Sequence, residues 1–144
     1  MPEIINQQRK IKLEVVDFRA FTEKAIASIT EAKEKDLTVA LVSDRKIREL
    51  NKIFRDKNKT TDVLSFPYEP DRYDFLETEN FLGDIVISVE QAQRQARENN
   101  LTLSTEIKQL ILHGILHLCG YDHETDSGEM NRLELKLRDK LKIS

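Results

Sequence analysis

The chain has only three histidines, and they fall within eleven residues: His113, His117 and His123 in the run HGILHLCGYDH. A four-residue spacing stacks His113 and His117 on one face of a helix, so that both imidazoles can reach a common ion. Gly120 is the residue type that ends a helix in left-handed backbone and turns the chain. The turn lets His123 come back as a third ligand. Three neutral nitrogens around Zn²⁺, with a fourth position left for water, describe a catalytic site, because structural zinc is closed by four protein ligands. Zinc lowers the pKa of such a water to about 7, which makes a nucleophile available at neutral pH. The expectation is therefore one Zn²⁺ per chain, although a three-imidazole set also accepts nickel, cobalt or copper. The bland alternative is two polar residues packed in an apolar helix and a stray loop histidine. It would serve for one histidine; three at ligand spacing, with a glycine at the bend, favour the metal.

The spacing H-x-x-x-H-x-x-G-x-x-H is that of the metzincin metalloproteases, with one departure. Their second position is the glutamate that moves the proton in peptide hydrolysis, and here it is Gly114. The metal scaffold resembles a zincin; the chemistry must differ. Other candidates stand open on two readings each. Asp122 is placed to hydrogen-bond a ligand imidazole or to cap the bend. Asp62 and Asp84 border strands and either face a cleft or serve turns. Tyr121 either packs or touches substrate. Ser65 has no free histidine to activate it and reads as a strand residue. Cys119, two residues after a ligand, turns away from the ligand face and reads as core.

The elements that must position the histidines follow from periodicity. Ile11 to Val16 reads as extended or mixed, and Phe18 to Thr30 has helical spacing. The run LTVALV (37–42) is a near-continuous apolar, β-branched stretch, as expected of a buried strand. Ser43 then offers an N-cap to a helix with Ile47, Leu50, Ile53 and Phe54 inward. DVLSF (62–66) is a short strand stopped by Pro67, which suits an edge. Residues 68–80 read as an exposed acidic loop. DIVISV (84–89) is a further strand, and Ser88 with Gln91 opens a helix through Arg97 that Asn99 and Asn100 end. Thr102 or Ser104 caps the histidine helix, which runs to about Cys119. Asp126 and Glu129 make a capping-box pattern for a last helix with Met130, Leu133, Leu137 and Leu141 on its apolar side. Strands alternating with helices give an α+β domain over residues 1–144, with a mixed, mostly parallel sheet of about four strands and helices packed on it.

Composition sets outer limits. At 144 residues the chain can bury about 70% of its unfolded surface in one domain. Hydrophobic residues are 39%, aromatics 6% and charged residues 34%, so the core must be aliphatic. Gln109 to Tyr121, the longest uncharged apolar stretch, is too short to cross a bilayer. The N-terminus MPEIINQQRK lacks the apolar region of a secretory signal, and Cys119 is the one cysteine, so a cytoplasmic location is expected. The net charge of −3 hides a strong asymmetry: residues 45–59 hold seven Lys or Arg against two acids, while residues 61–93 hold eight acids against Arg72. The stripe Arg45, Lys46, Arg48, Lys52, Arg55, Lys57 and Lys59 is either a solvated helix face or a surface for phosphates. No stacking platform for unpaired bases is visible in the sequence.

Four segments taken together resemble one family. HGILHLCGYDH (113–123), TDVLSFP (61–67), LGDIVIS (82–88) and the pattern Leu50, Asn51, Phe54, Arg55 are similar in content and order to the YbeY-type endoribonucleases of ribosomal RNA maturation. The resemblance implies that His113, His117 and His123 are the zinc ligands and that Arg55 works in the substrate cleft. It implies metal-dependent cleavage of single-stranded RNA in 16S rRNA 3′-end maturation and ribosome quality control, with RNA and possible ribosomal partners and no membrane. A guanidinium suits phosphate because its planar fork pairs two oxygens. Two alternatives stand beside this reading: a metallopeptidase, disfavoured by Gly114, and a non-catalytic ribosome- or RNA-binding factor with structural zinc, disfavoured by the open fourth position.

Overall fold

The computed structural model describes residues 1–69 and 80–144. Most of the expected acidic loop at 68–80 lies outside the described residues. Four strands form one sheet in the order β1-β2-β4-β3: β1 (Glu3–Asn6), β2 (Asp36–Val42), β3 (Val63–Pro67) and β4 (Phe81–Ser88). β1 pairs parallel with β2 and β2 with β4, while β3 runs antiparallel to β4 on the outer edge. The α+β architecture, the four strands and the mostly parallel pairing agree with the sequence reading. Pro67 closes the edge strand, where its missing N–H costs no ladder bond.

Ile11 to Val16, read as extended or mixed, is irregular up to Glu14 and carries no strand; α1 (Val15–Ser28) begins inside it. The first strand is instead the four-residue EIIN at the N-terminus. Only Ile4 of it is buried, so two turns of alternation are lacking and the ladder to β2 supplies what the side chains do not. Its register places Ile4 opposite Val39.

The sheet buries its faces unequally. Leu37, Val39, Leu41, Ile85 and Ile87 point to one face, and with α1, α3 (Val89–Glu98), α4 (Leu103–Leu118) and α5 (Glu129–Lys140) they make the main core. Among the described residues, the other face carries only α2 (Asp44–Arg55), over a small cluster of Val42, Ile47, Leu64 and Val86. That explains a correction. Ile47 is buried and Leu50 half-buried, but Ile53 and Phe54 are 71% and 63% exposed. Ile53 is off the inward stripe by helical phase, and Phe54 lies beyond the small cluster, beside Phe66 near the strand's end.

Helix starts follow local chemistry. Ser43 Oγ accepts from the Lys46 N–H, Ser88 Oγ from Gln91 and Thr102 Oγ1 from Thr105, satisfying first-turn donors that have no intrahelical partner. The start of α5 is shifted from the expected box. Asp126 accepts from the N–H groups of Gly128 and Met130, and Glu129 reaches back to that of Ser127. Among the described residues, no helix is long and apolar enough to cross a membrane.

Candidate metal centre

Ile107, Ile111, Leu112, Ile115 and Leu116 of α4 are fully buried, so the helix has neither rotational nor axial freedom against the sheet. Gly114 is the point of closest approach: a Cβ there would stand 2.9 Å from two carbons of Ile85. This position faces the sheet, so the glutamate of the metzincins would have no room. The helix ends in a Schellman arrangement. Gly120, at φ +96°, donates to the His117 carbonyl, and Tyr121 donates to that of Leu116. The following turn is tied by Asp122, whose carbonyl accepts from Thr125 and Asp126 and whose carboxylate accepts from Glu124.

These constraints bring the three rings together. One ring nitrogen from each of His113, His117 and His123 lies within 4.8 Å of the others. Nε2 of His113 and Nε2 of His117 are 3.1 Å apart, and the His123 ring centroid is 5.7 Å from both other rings. Ligands at zinc distances of 2.0–2.1 Å in a tetrahedron stand about 3.3 Å from one another, so the donor set fits such an ion with little rearrangement. Among the described residues, no thiolate or carboxylate joins the group.

The residue that sequence reasoning missed is Glu134. Its Oε1 lies 2.6 Å from Nδ1 of His113, and its Oε2 accepts from Arg138 at 2.8 Å. A carboxylate on Nδ1 holds the proton there and leaves the Nε2 lone pair for a metal. Burial pushes the Glu134 carboxyl up, but the hydrogen bond and charge of His113, helped by Arg138, outweigh it and hold the group below its ordinary value. Of the two readings open for Asp122, capping the bend is the one found. Glu134 lies 21 residues from His113 on α5, and no local pattern points to it. Partial burial, followed by the charges of His113 and His123, lowers the His117 pKa; the imidazole stays neutral and able to ligate at neutral pH.

A cleft of about 660 Å³ opens over the rings. It is lined also by β3 and the loop before it, with the exposed Arg55, Lys57 and Lys59 on its rim. Arg55 is exposed, and its Nη2 donates to the Ser65 carbonyl at 3.3 Å. Ser65 thus serves through its backbone. Asp62 borders the cleft, and its carboxylate accepts from the Val63 N–H at 2.8 Å and from Gln95 at 3.3 Å. Asp84 is paired with Thr38 across β2 and β4 and is not in the cleft wall. Of the two readings open for Tyr121, packing is found, since it lies against the core; it also lines the cleft. Its hydroxyl is bonded to Glu31, which raises its pKa. Cys119 packs against the main core, and burial pushes its thiol up to about 11.

A family model described as endoribonuclease YbeY matches residues 3–142. The chain belongs to this family. A curated YbeY relative from Thermodesulfovibrio yellowstonii is 38% identical over 97% of this chain and 96% of its own length. The Nautilia profundicola YbeY is 46% identical over 76% of this chain and 75% of its own. A solution structure of a Thermotoga maritima protein has the same fold, with a TM-score of 0.65 and 31% identity over 98% of this chain and 89% of that one. Membership agrees with the four segments read from the sequence. Residues of two of them, TDVLSFP and HGILHLCGYDH, line the same cleft.

Proposed function

We propose that this YbeY-family chain is a zinc-dependent endoribonuclease that cuts single-stranded RNA, with His113, His117 and His123 holding the ion and Arg55 the phosphate. The observation that carries the reading is the convergence of three imidazole nitrogens over a cleft whose rim is cationic. The activity named for the family supports it. When bound, the ion supplies Lewis acidity and brings the pKa of water toward neutrality. The chain's own residues do the rest. Glu134 keeps the His113 proton on Nδ1, and the lowered pKa of His117 keeps that ring neutral. Arg55 spends one donor on a neutral carbonyl and has four left for two phosphate oxygens. Lys57 and Lys59 add charge that draws the RNA backbone without reading its sequence.

The resemblance extends the proposal to ribosomal RNA: maturation of the 16S 3′ end in the cytoplasm, with the ribosome as partner. The peptidase alternative is weakened further by the packing of Gly114 against Ile85. The test is cleavage of a labelled single-stranded RNA and of an unstructured peptide by native protein, His117→Ala and Arg55→Lys, before and after chelation. RNA cleavage should vanish in His117→Ala and on chelation, return with zinc, and fall roughly tenfold or more in Arg55→Lys, in keeping with one charged hydrogen bond lost. Undiminished cleavage by His117→Ala would exclude the metal, and cleavage of the peptide alone would favour a peptidase.

A further inference from the structure

The basic end of α2 carries a feature that charge does not explain. Phe54 is 63% exposed in a chain with only 6% aromatic residues. Its ring meets Phe66 edge-on, with centroids 5.3 Å apart and planes at 64°. Phe66 follows Ser65, the residue whose carbonyl holds the Arg55 guanidinium. Phe54 and Arg55 are thus consecutive on α2, and their contacts, Phe66 and Ser65, are consecutive on β3. A ring and a guanidinium are presented side by side, fixed at both ends by regular structure. Around them Arg48, Lys52 and Lys57 are exposed.

An aromatic face beside a guanidinium on a cationic surface is the combination that single strands use: the base stacks on the ring while its phosphate meets the charge. In a duplex the faces of each base are covered by its neighbours, so such a ring is useful only to an unpaired strand. A protein partner would need acidic groups to match the same rim, and it becomes an outcome of the test. We propose that Phe54, braced edge-on by Phe66, is the stacking platform for an unpaired base of the RNA strand, beside the phosphate that Arg55 holds. The inference rests on the nuclease reading above and adds to it a source of single-strand preference. No such platform was visible in the sequence, since the two rings are twelve residues apart in the chain and meet only where α2 packs against β3.

The test is equilibrium binding of a fluorescent oligoadenylate, 2′-O-methylated to resist cleavage, against an abasic strand of equal length. Phe54→Ala should weaken binding of the base-bearing strand by roughly 5- to 100-fold, the range for one lost stacked base. It should leave the abasic strand unaffected, and Phe54→Tyr should bind like the native protein. The chain has no tryptophan, so Phe54→Trp adds a single reporter. The oligoadenylate should quench it and the abasic strand should not, while Leu135→Trp, at an exposed site on α5, should respond to neither. Equal loss on both strands, or no loss, would overturn the platform. Binding of an acidic peptide at Phe54 with the RNA unaffected would replace it with a protein site. If the native protein binds neither strand, the nuclease reading itself fails.

Discussion

Gly114 offers a test in which two effects of known size oppose each other. In the middle of an exposed helix, Gly→Ala stabilises by about 1 kcal/mol through backbone entropy and propensity. Here the added methyl would lie 2.9 Å from Cδ1 and Cγ2 of Ile85 and 3.0 Å from Cγ1. Ile85 is fully buried on the central strand β4, and two of those three carbons are attached directly to its Cβ, so no simple terminal rotation clears the space. Overpacking of this kind costs about 1–3 kcal/mol. Gly114→Ala should therefore be destabilised by up to roughly 2 kcal/mol net, despite its better helix propensity. Urea unfolding of the metal-free protein, with an unchanged slope, reads the difference. Ile85→Val removes one of the three colliding carbons and alone costs about 0.5–1.5 kcal/mol. Combined with Gly114→Ala it should cost less than the sum, with a coupling of at least about 0.5 kcal/mol. Relief of the overlap by moving α4 away from β4 would shift His113, so zinc affinity should fall in the single variant and recover in the double. If Gly114→Ala is more stable than native, or the pair is simply additive, the close packing of α4 on the sheet is not what positions the ligands.

Glu134→Gln should lower zinc affinity about 10- to 100-fold in chelator competition, the usual loss when a ligand histidine loses its carboxylate partner; unchanged affinity would remove Glu134 from the site. Asp126 caps α5 through the N–H groups of Met130 and Gly128, which hold its carboxyl below the ordinary 3.8. Its contribution is present above that value and is lost as pH falls through the folded one. The urea midpoint of Asp126→Ala should lie below native at neutral pH, with the gap closing once the pH has fallen below the folded-state value; a gap that persists in fully acidic solution would contradict the cap. With its thiol near 11 rather than 9.0, Cys119 should alkylate roughly 100-fold more slowly than a free cysteine at neutral pH, since only the thiolate reacts; comparable rates would refute its burial.

The sequence by itself determined the parts that depend on neighbours along the chain. Helical phase put His113 and His117 on one face, and Gly120 set the turn that returns His123, because left-handed backbone at that point favours a residue without a side chain. Ser43, Ser88 and Thr102 announced their helices through oxygens that reach donors only three residues away. The apolar run LTVALV marked a buried strand and DIVISV a further one, and Pro67 marked an edge.

What only the tertiary structure decided is everything that needs two distant segments at once. EIIN is too short to show a period, and pairing with β2 makes it a strand. Glu134 reaches His113 from another helix, while Asp122, its neighbour-based rival, is spent on the bend. Asp84 proved to be bonded within the sheet, away from the cleft. Phe54 has the phase of a core residue and is exposed, because α2 covers only a small cluster on its side of the sheet. Periodicity reports which way a side chain points from its own element; what stands opposite depends on packing, which no local pattern encodes.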